Sequence, residues 1–225
     1  MLAGVSLRAL LFDFDGLILD TETPEIISWQ EVWAEHGQRF PVERFVSEIG
    51  TVGGYGAFPA LEELTGPLDR AALGARRSAR KLALIEIEEL RPGVIDYLEH
   101  ARTRGIATAI VSSSSRGWID AHLSRLERAE QFDLIVTGDH DPERGKPRPT
   151  LYLEALAALG IGPGEAVAFE DSPNGIRAAT SAGIFCIAVP NGITASLALD
   201  EADLVLGSLA ELPFERLLDR FGAPG

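Results

Sequence analysis

The stretch Leu10-Leu11-Phe12-Asp13-Phe14-Asp15-Gly16 decides how the rest of the chain is read. Its apolar lead-in, Ala9 to Phe12, has the composition of a strand buried on both faces, as in a parallel sheet. Two carboxylates spaced by one residue follow, then a glycine. Ligands of open α/β sheets bind in the crevice beyond the carboxyl ends of the strands, which is where Asp13 and Asp15 fall. A plain turn accounts for the same residues, with Asp13 capping it and Asp15-Gly16 as its turn pair. The choice between turn and site depends on the remaining sequence.

The chain has 225 residues, 46% of them hydrophobic. That allows one large domain, or one domain with a small companion, around a substantial core. The net charge of −14 repels a polyphosphate backbone, so nucleic-acid binding is not expected. A small anionic substrate stays compatible if a metal or a lysine offsets charge locally. The lone Cys186 lies in an apolar run and is expected as a buried small hydrophobe in a reducing compartment. No run approaches the length of a membrane helix. Asp13 and Asp15 interrupt the early apolar run, so no secretory signal is expected. A cytoplasmic protein with no membrane or nucleic-acid partner follows as the expectation.

Beyond Gly16 the pattern changes. Thr23 as N-cap and Pro24 in the first turn predict a helix carrying Ile26, Trp29 and Trp33 as a core stripe, closed by His36-Gly37. Gly50 to Gly56 is glycine-rich, but no strand precedes it and no Gly-Lys-Ser follows, so neither nucleotide-binding fingerprint fits. A helix is predicted from about 68 to 90, with Arg76, Arg77, Arg80 and Lys81 as a solvated face. Arg91-Pro92-Gly93 then punctuates the chain. After it helices and apolar runs alternate. Strands are predicted at 106–111, 132–136, 166–169, 184–189 and 204–206. Helices are predicted at 94–104, 118–128, 150–160 with Thr150 as N-cap, 173–183 and 208–220. This alternation predicts an α/β fold, a Rossmann-like parallel sheet with helices on both faces. Residues 22–88 carry no convincing strand and are expected as an inserted α-helical cap. Residues 1–21 and 89–225 would then form the core.

The predicted strand ends hold the polar residues. The first ends in Asp13 and Asp15, the second in Ser112-Ser113-Ser114-Ser115. The third leads into a loop with Lys146 between Gly145 and Pro147, and the fourth ends in Glu170-Asp171-Ser172. Singly, these are a helix-capping turn, a surface lysine and a helix N-terminus. In a parallel sheet they share one edge. Four clustered carboxylates cannot all stay ionised without a cation. Oxygen ligands of this kind favour Mg2+, which shares its shell with water and phosphate.

Together these segments resemble the four motifs of the haloacid dehalogenase-like hydrolase superfamily. Phe12-Asp13-Phe14-Asp15-Gly16, followed by Leu19-Asp20-Thr21-Glu22, is similar to the first. Ile110-Val111-Ser112-Ser113-Ser114 is similar to the second, and Gly145-Lys146-Pro147-Arg148-Pro149 to the third. Phe169-Glu170-Asp171-Ser172-Pro173-Asn174-Gly175 with Ala178-Ala179 is similar to the fourth. The insertion after the first motif resembles the subgroup of β-phosphoglucomutases and small-molecule phosphatases. The resemblance implies Asp13 as nucleophile and Asp15 as acid and base. It implies magnesium held by Asp13, the Asp15 carbonyl, Glu170 and Asp171. Ser113, with Ser112 as its rival in register, and the Ser114 N–H would bind phosphoryl oxygens, and Lys146 would offset their charge. Gly16, Glu22, Asn174 and, in the cap loop, Tyr55 are further candidates for contact with substrate. Dehalogenases of this fold lack an acid at the position of Asp15, so phosphoryl transfer is expected. β-Phosphoglucomutases carry a histidine where Glu25 stands and an arginine in the cap loop, whereas Gly50 to Gly56 has no basic residue. The implied activity is hydrolysis of a small phosphorylated metabolite, of sugar or polyol type, by a monomer or weak dimer. A phosphoglucomutase-like transferase is the alternative, and a non-catalytic phosphometabolite-binding protein the third reading.

Overall fold

The structure, a computed structural model, describes residues 2–47 and 55–222. Most of the predicted glycine-rich loop therefore lies outside the described residues. The strand over Ala9–Phe12 (β2) follows a short first strand, Leu2–Ser6 (β1). Four helices come next: Glu22–Glu35 (α1), Val42–Val46 (α2), Ala57–Thr65 (α3) and Arg70–Ile85 (α4). The chain then alternates through Val94–Thr103 (α5), Ala107–Ser112 (β3), Arg116–Arg125 (α6), Leu134–Thr137 (β4), Thr150–Leu159 (α7) and Ala166–Glu170 (β5). It closes with Pro173–Ser181 (α8), Phe185–Ala188 (β6), Leu204–Val205 (β7), Phe214–Leu218 (α9) and Phe221–Gly222 (β8).

Six strands form one parallel sheet in the order β4-β3-β2-β5-β6-β7. The chain fills one side of β2 first and then crosses to the other. The order therefore reverses at β2, the position that opens a crevice at the carboxyl edge of such sheets. Register aligns the strand ends there: Phe12 pairs with Ile110 on one side and Phe169 on the other. Side chains of the buried central strands alternate between the two faces of the sheet, with the period of two that a pleated strand imposes. Leu10, Phe12, Ile110, Val167 and Phe169 pack into one cluster with α5 and α6 residues such as Tyr97 and Ile119. Ala9, Leu11, Ala109, Ala166 and Ala168 face a second cluster with Tyr152, Ala178 and Ala179. Small residues on that face let α7 and α8 approach closely, while the first face is filled by aromatic and branched side chains. The sheet is thus covered on both sides, as predicted.

The four helices between β2 and α5 have their own cluster of Trp29, Val32, Trp33, Phe40, Ala57 and Leu61. The tryptophans are core residues there, and α1 packs along α4.

Several details correct the sequence reading. The N-cap of α1 is Thr21 rather than Thr23, and the capping carboxylate is Asp20. It accepts from the Glu22 and Thr23 N–H groups at 3.2 and 2.9 Å, and the Thr23 hydroxyl donates to it as well. An ionised carboxylate outcompetes a hydroxyl for these N–H groups. Thr150 lies inside α7, whose N-cap is Pro149. The long helix ends at Ile85, and the last predicted helix is cut by Pro213, which has no N–H to extend it. The strands β1 and β8 form a separate two-stranded parallel sheet that the sequence reading missed. Only half of the basic face of α4 is solvated. Arg76 and Arg80 pair with Glu35 and Glu31 at the surface. The Arg77 and Lys81 side chains are only 14% and 23% exposed and turn onto Glu25.

Candidate active site

The carboxyl edge of β2 and β5 gathers the acids. The Asp13 N–H donates to the Phe169 carbonyl at 2.9 Å, which fixes the residue against β5. The Lys146 ammonium contacts Asp13 Oδ1 and lies 2.6 Å from Glu170 Oε1. Tyr152 donates its hydroxyl to the same Glu170 oxygen at 2.5 Å, while Glu170 Oε2 is buried without a hydrogen-bond partner. Asn191 Nδ2 donates to Asp171 Oδ2 at 2.8 Å. Oxygens of Asp13, Glu170 and Asp171 lie within 4.8 Å of one another. Burial, with the charges of Glu170 and Asp15, pushes the Asp13 carboxyl up to about 7 against the pull of Lys146. Burial and the neighbouring acids raise Asp171 well above the carboxylate range. Burial also opposes charge on Lys146, but Asp13 and Glu170 outweigh it and hold the ammonium above its ordinary value.

Two glycines make this packing possible. At Gly16, with φ of +79°, a Cβ would fall 2.2 Å from Asp171 Oδ2. At Gly175 it would fall 1.8 Å from Glu170 Oε2. Any side chain at either position would displace an acid.

The donor set fits a hard divalent cation. Three carboxylates face one ammonium, which leaves two negative charges when all three are ionised. One carboxylate oxygen, Glu170 Oε2, lacks a partner. Both features are what an oxygen-ligated cation would satisfy.

Asp15, two residues on, is held differently. Its Oδ1 accepts from the Thr21 hydroxyl and from Trp118 Nε1, each at 2.9 Å, and its Oδ2 accepts from the Ser114 hydroxyl at 2.6 Å. The four serines divide their work. Ser112 Oγ accepts from the Ser114 N–H at 3.1 Å, and Ser113 Oγ from the Lys146 N–H at 3.0 Å. Ser115 caps α6.

A cavity of about 370 Å³ opens over both acids, and Ser112, Ser113 and Ser114 line it. Glu22, Glu25 and Lys81 form its wall on the helical side. Burial and the charges of Asp15 and Glu25 raise Glu22 to about 8. Burial would also raise Glu25, but Lys81 and Arg77 bring it below the usual range. Gly16 lies beneath Asp171, and its carbonyl accepts from Arg91 and Asn191. Asn174 is in the first turn of α8, outside the cavity lining. Tyr55 packs with Phe40, Phe45 and Arg44 in the helical cluster and does not line the cavity either.

Sequence reasoning missed Thr21, Trp118, Tyr152, Asn191 and the role of Arg91. Arg91 ties three loop carbonyls together, those of Gly16, Val189 and Pro190. Asn191 had a signal, since it follows a strand on the same sheet edge. Tyr152 had none, because it sits between Leu151 and Leu153 on α7 and reads as core, and Trp118 had none, because a lone aromatic early in a helix reads as packing.

The model of the haloacid dehalogenase-like hydrolases matches residues 7–183, a span that contains Asp13, Asp15, the four serines, Lys146, Glu170 and Asp171 and ends before Val189, Pro190 and Asn191. The chain belongs to that family. This hydrolase is 42% identical over 218 residues to "Putative phosphatase YhcW" of Bacillus subtilis, covering 96% of this chain and 99% of the relative. It is 31% identical to the "Phosphorylated carbohydrates phosphatase" of Thermotoga maritima, covering 95% and 97%. Among solved structures, a CbbY variant from Rhodobacter sphaeroides in complex with xylulose-(1,5)bisphosphate superposes with a TM-score of 0.73 at 32% identity. That match covers 92% of the hydrolase and 96% of CbbY. Among the described residues no helix is long and apolar enough to cross a membrane.

Proposed function

We propose that this hydrolase is a magnesium-dependent phosphatase that releases phosphate from a small sugar or polyol phosphomonoester through an aspartyl-phosphate. The observation that carries this reading is the contact of Lys146 with both Asp13 and Glu170, beside Asp171 and two residues from Asp15. Asp13 attacks phosphorus and the bond to the alkoxy oxygen breaks. Asp15 gives that oxygen its proton, then takes one from the water that attacks the aspartyl-phosphate and regenerates Asp13. Ser113, which accepts from the Lys146 N–H, keeps its own hydroxyl proton to donate to a phosphoryl oxygen. Lys146 holds fixed positive charge where negative charge develops. Asp13, Glu170, Asp171 and the Asp15 carbonyl would hold the magnesium, which when bound neutralises phosphoryl oxygen charge.

Residues 22–88 serve in this reading as a cap, and residues 1–21 with 89–225 as the catalytic core. The separate aromatic cluster supports that division, as does the Leu19–Leu90 bridge where the two connections run side by side. The name of the Thermotoga maritima relative and the xylulose-(1,5)bisphosphate in the solved CbbY complex support a carbohydrate substrate. Glu25 is engaged by Arg77, Lys81 and Trp29, and this counts against a mutase, whose histidine would stand there. The lone buried Cys186 suits a reducing cytoplasm. A phosphate-release screen over phosphorylated metabolites with magnesium, run alongside Asp13→Asn, tests the proposal. Turnover by the wild type alone supports it. No turnover on any substrate, a variant at wild-type rate, or isomerisation without phosphate release overturns it.

A further inference from the structure

We propose that Trp118 is a positioning residue for Asp15, and that Lys81 ties this positioning to the helical segment. The inference rests on the reading of Asp15 as proton donor. Trp118 stands in the first turn of α6 and gives its indole N–H to Asp15 Oδ1 at 2.9 Å. The ring is held on two further sides. The Lys81 ammonium lies 4.8 Å from its centroid, and the His122 ring meets it edge-on at 4.2 Å. Lys81 in turn lies 2.9 Å from Glu25 Oε2. A continuous chain of contacts therefore runs from Glu25 on α1, through Lys81 on α4, to the indole and the carboxylate.

The chemistry of an indole suits this task. Its N–H donates only, neither accepts nor titrates near neutral pH, and does not rotate as a hydroxyl does. It fixes one Asp15 oxygen without competing for the proton. The other oxygen is bonded to Ser114 Oγ, a rotor that can turn aside when a leaving group arrives. The cation over the ring adds an attraction that survives only while α4 stays in place. A shift of α4 away from the sheet would release the ring and loosen Asp15 together.

Leaving-group dependence tests this, because proton donation matters for an alkoxide and hardly for a nitrophenolate. In Trp118→Phe with magnesium, kcat/KM for a sugar phosphate is expected to fall about tenfold, the scale of one hydrogen bond to a charged group. The value for p-nitrophenyl phosphate should change less than about twofold in the same variant. Lys81→Met should shift the same ratio about threefold in the same direction, on the scale of a partly exposed cation–π contact. Equal losses on both substrates, no loss, or a ratio that moves the other way overturns the positioning role. An unchanged ratio in Lys81→Met overturns the link to α4. Should Trp118→Phe fail to fold, as judged by circular dichroism, Lys81→Met carries the test alone. Asp15→Asn separates the two levels. It should show the same split, larger. If it shows none, the proton-donor reading itself fails and this inference falls with it.

Discussion

Asp13 and Asp15 are separated by one residue and live in opposite surroundings. Asp13 is buried with Glu170 and Asp171 around a single ammonium, so burial first and then the neighbouring charges decide its behaviour. Asp15 is half-buried and held by three neutral donors, Thr21, Trp118 and Ser114. The first environment suits attack and cation binding, the second suits holding and moving a proton. Two like carboxylates acquire different work because the neighbours differ, which is how acid and nucleophile are told apart in general.

The difference can be broken from either end. Asp13→Asn removes the nucleophile, and phosphate release should fall by roughly 10⁴-fold or more. Asp15→Ala should cost roughly 10²–10⁴-fold on an alkyl phosphate, and single-turnover trapping should still detect phosphate on Asp13. Equal effects of the two variants on every substrate would erase the distinction.

Stability measurements sharpen the Asp13 side. Lys146→Met leaves three buried carboxylates without their cation, and urea unfolding of the metal-free protein should show a loss of about 3–5 kcal/mol. A loss near zero would mean that the acids are relieved in another way. Gly16→Ala meets both the strained φ and the Asp171 oxygen. It should cost about 1–3 kcal/mol and weaken magnesium binding measured by calorimetry.

The same surroundings also set the pH dependence. Asp13 and Glu22 are raised to about 7 and about 8 from ordinary values of 3.8 and 4.5. Between those limits the native protein holds protons that the unfolded chain has released. Stability of the metal-free protein should therefore fall as pH rises across this window. Thermal melts across it check the sign, and a profile that rises instead refutes the assignment. Magnesium, which favours the ionised carboxylates, should flatten the slope.

Sequence alone determined the fold class, the central place of β2 and the gathering of Asp13, Lys146, Glu170 and Asp171. Strand burial and strand-end polarity are local patterns, and a parallel sheet brings all strand ends to one edge. The tertiary structure decided the rest. It separated Arg77 and Lys81 from the solvated Arg76 and Arg80, because which face of α4 meets α1 is a matter of packing. It moved the capping of α1 from Thr23 to Asp20, because carboxylate and hydroxyl compete for the same N–H groups. It also brought Trp118 to Asp15 and Tyr152 to Glu170. These contacts span 103 and 18 residues, and neither partner's neighbours in the chain announce the other. Asp13-Phe14-Asp15 was legible as a pair of acids at a strand end. Their different surroundings come from residues that only folding puts beside them.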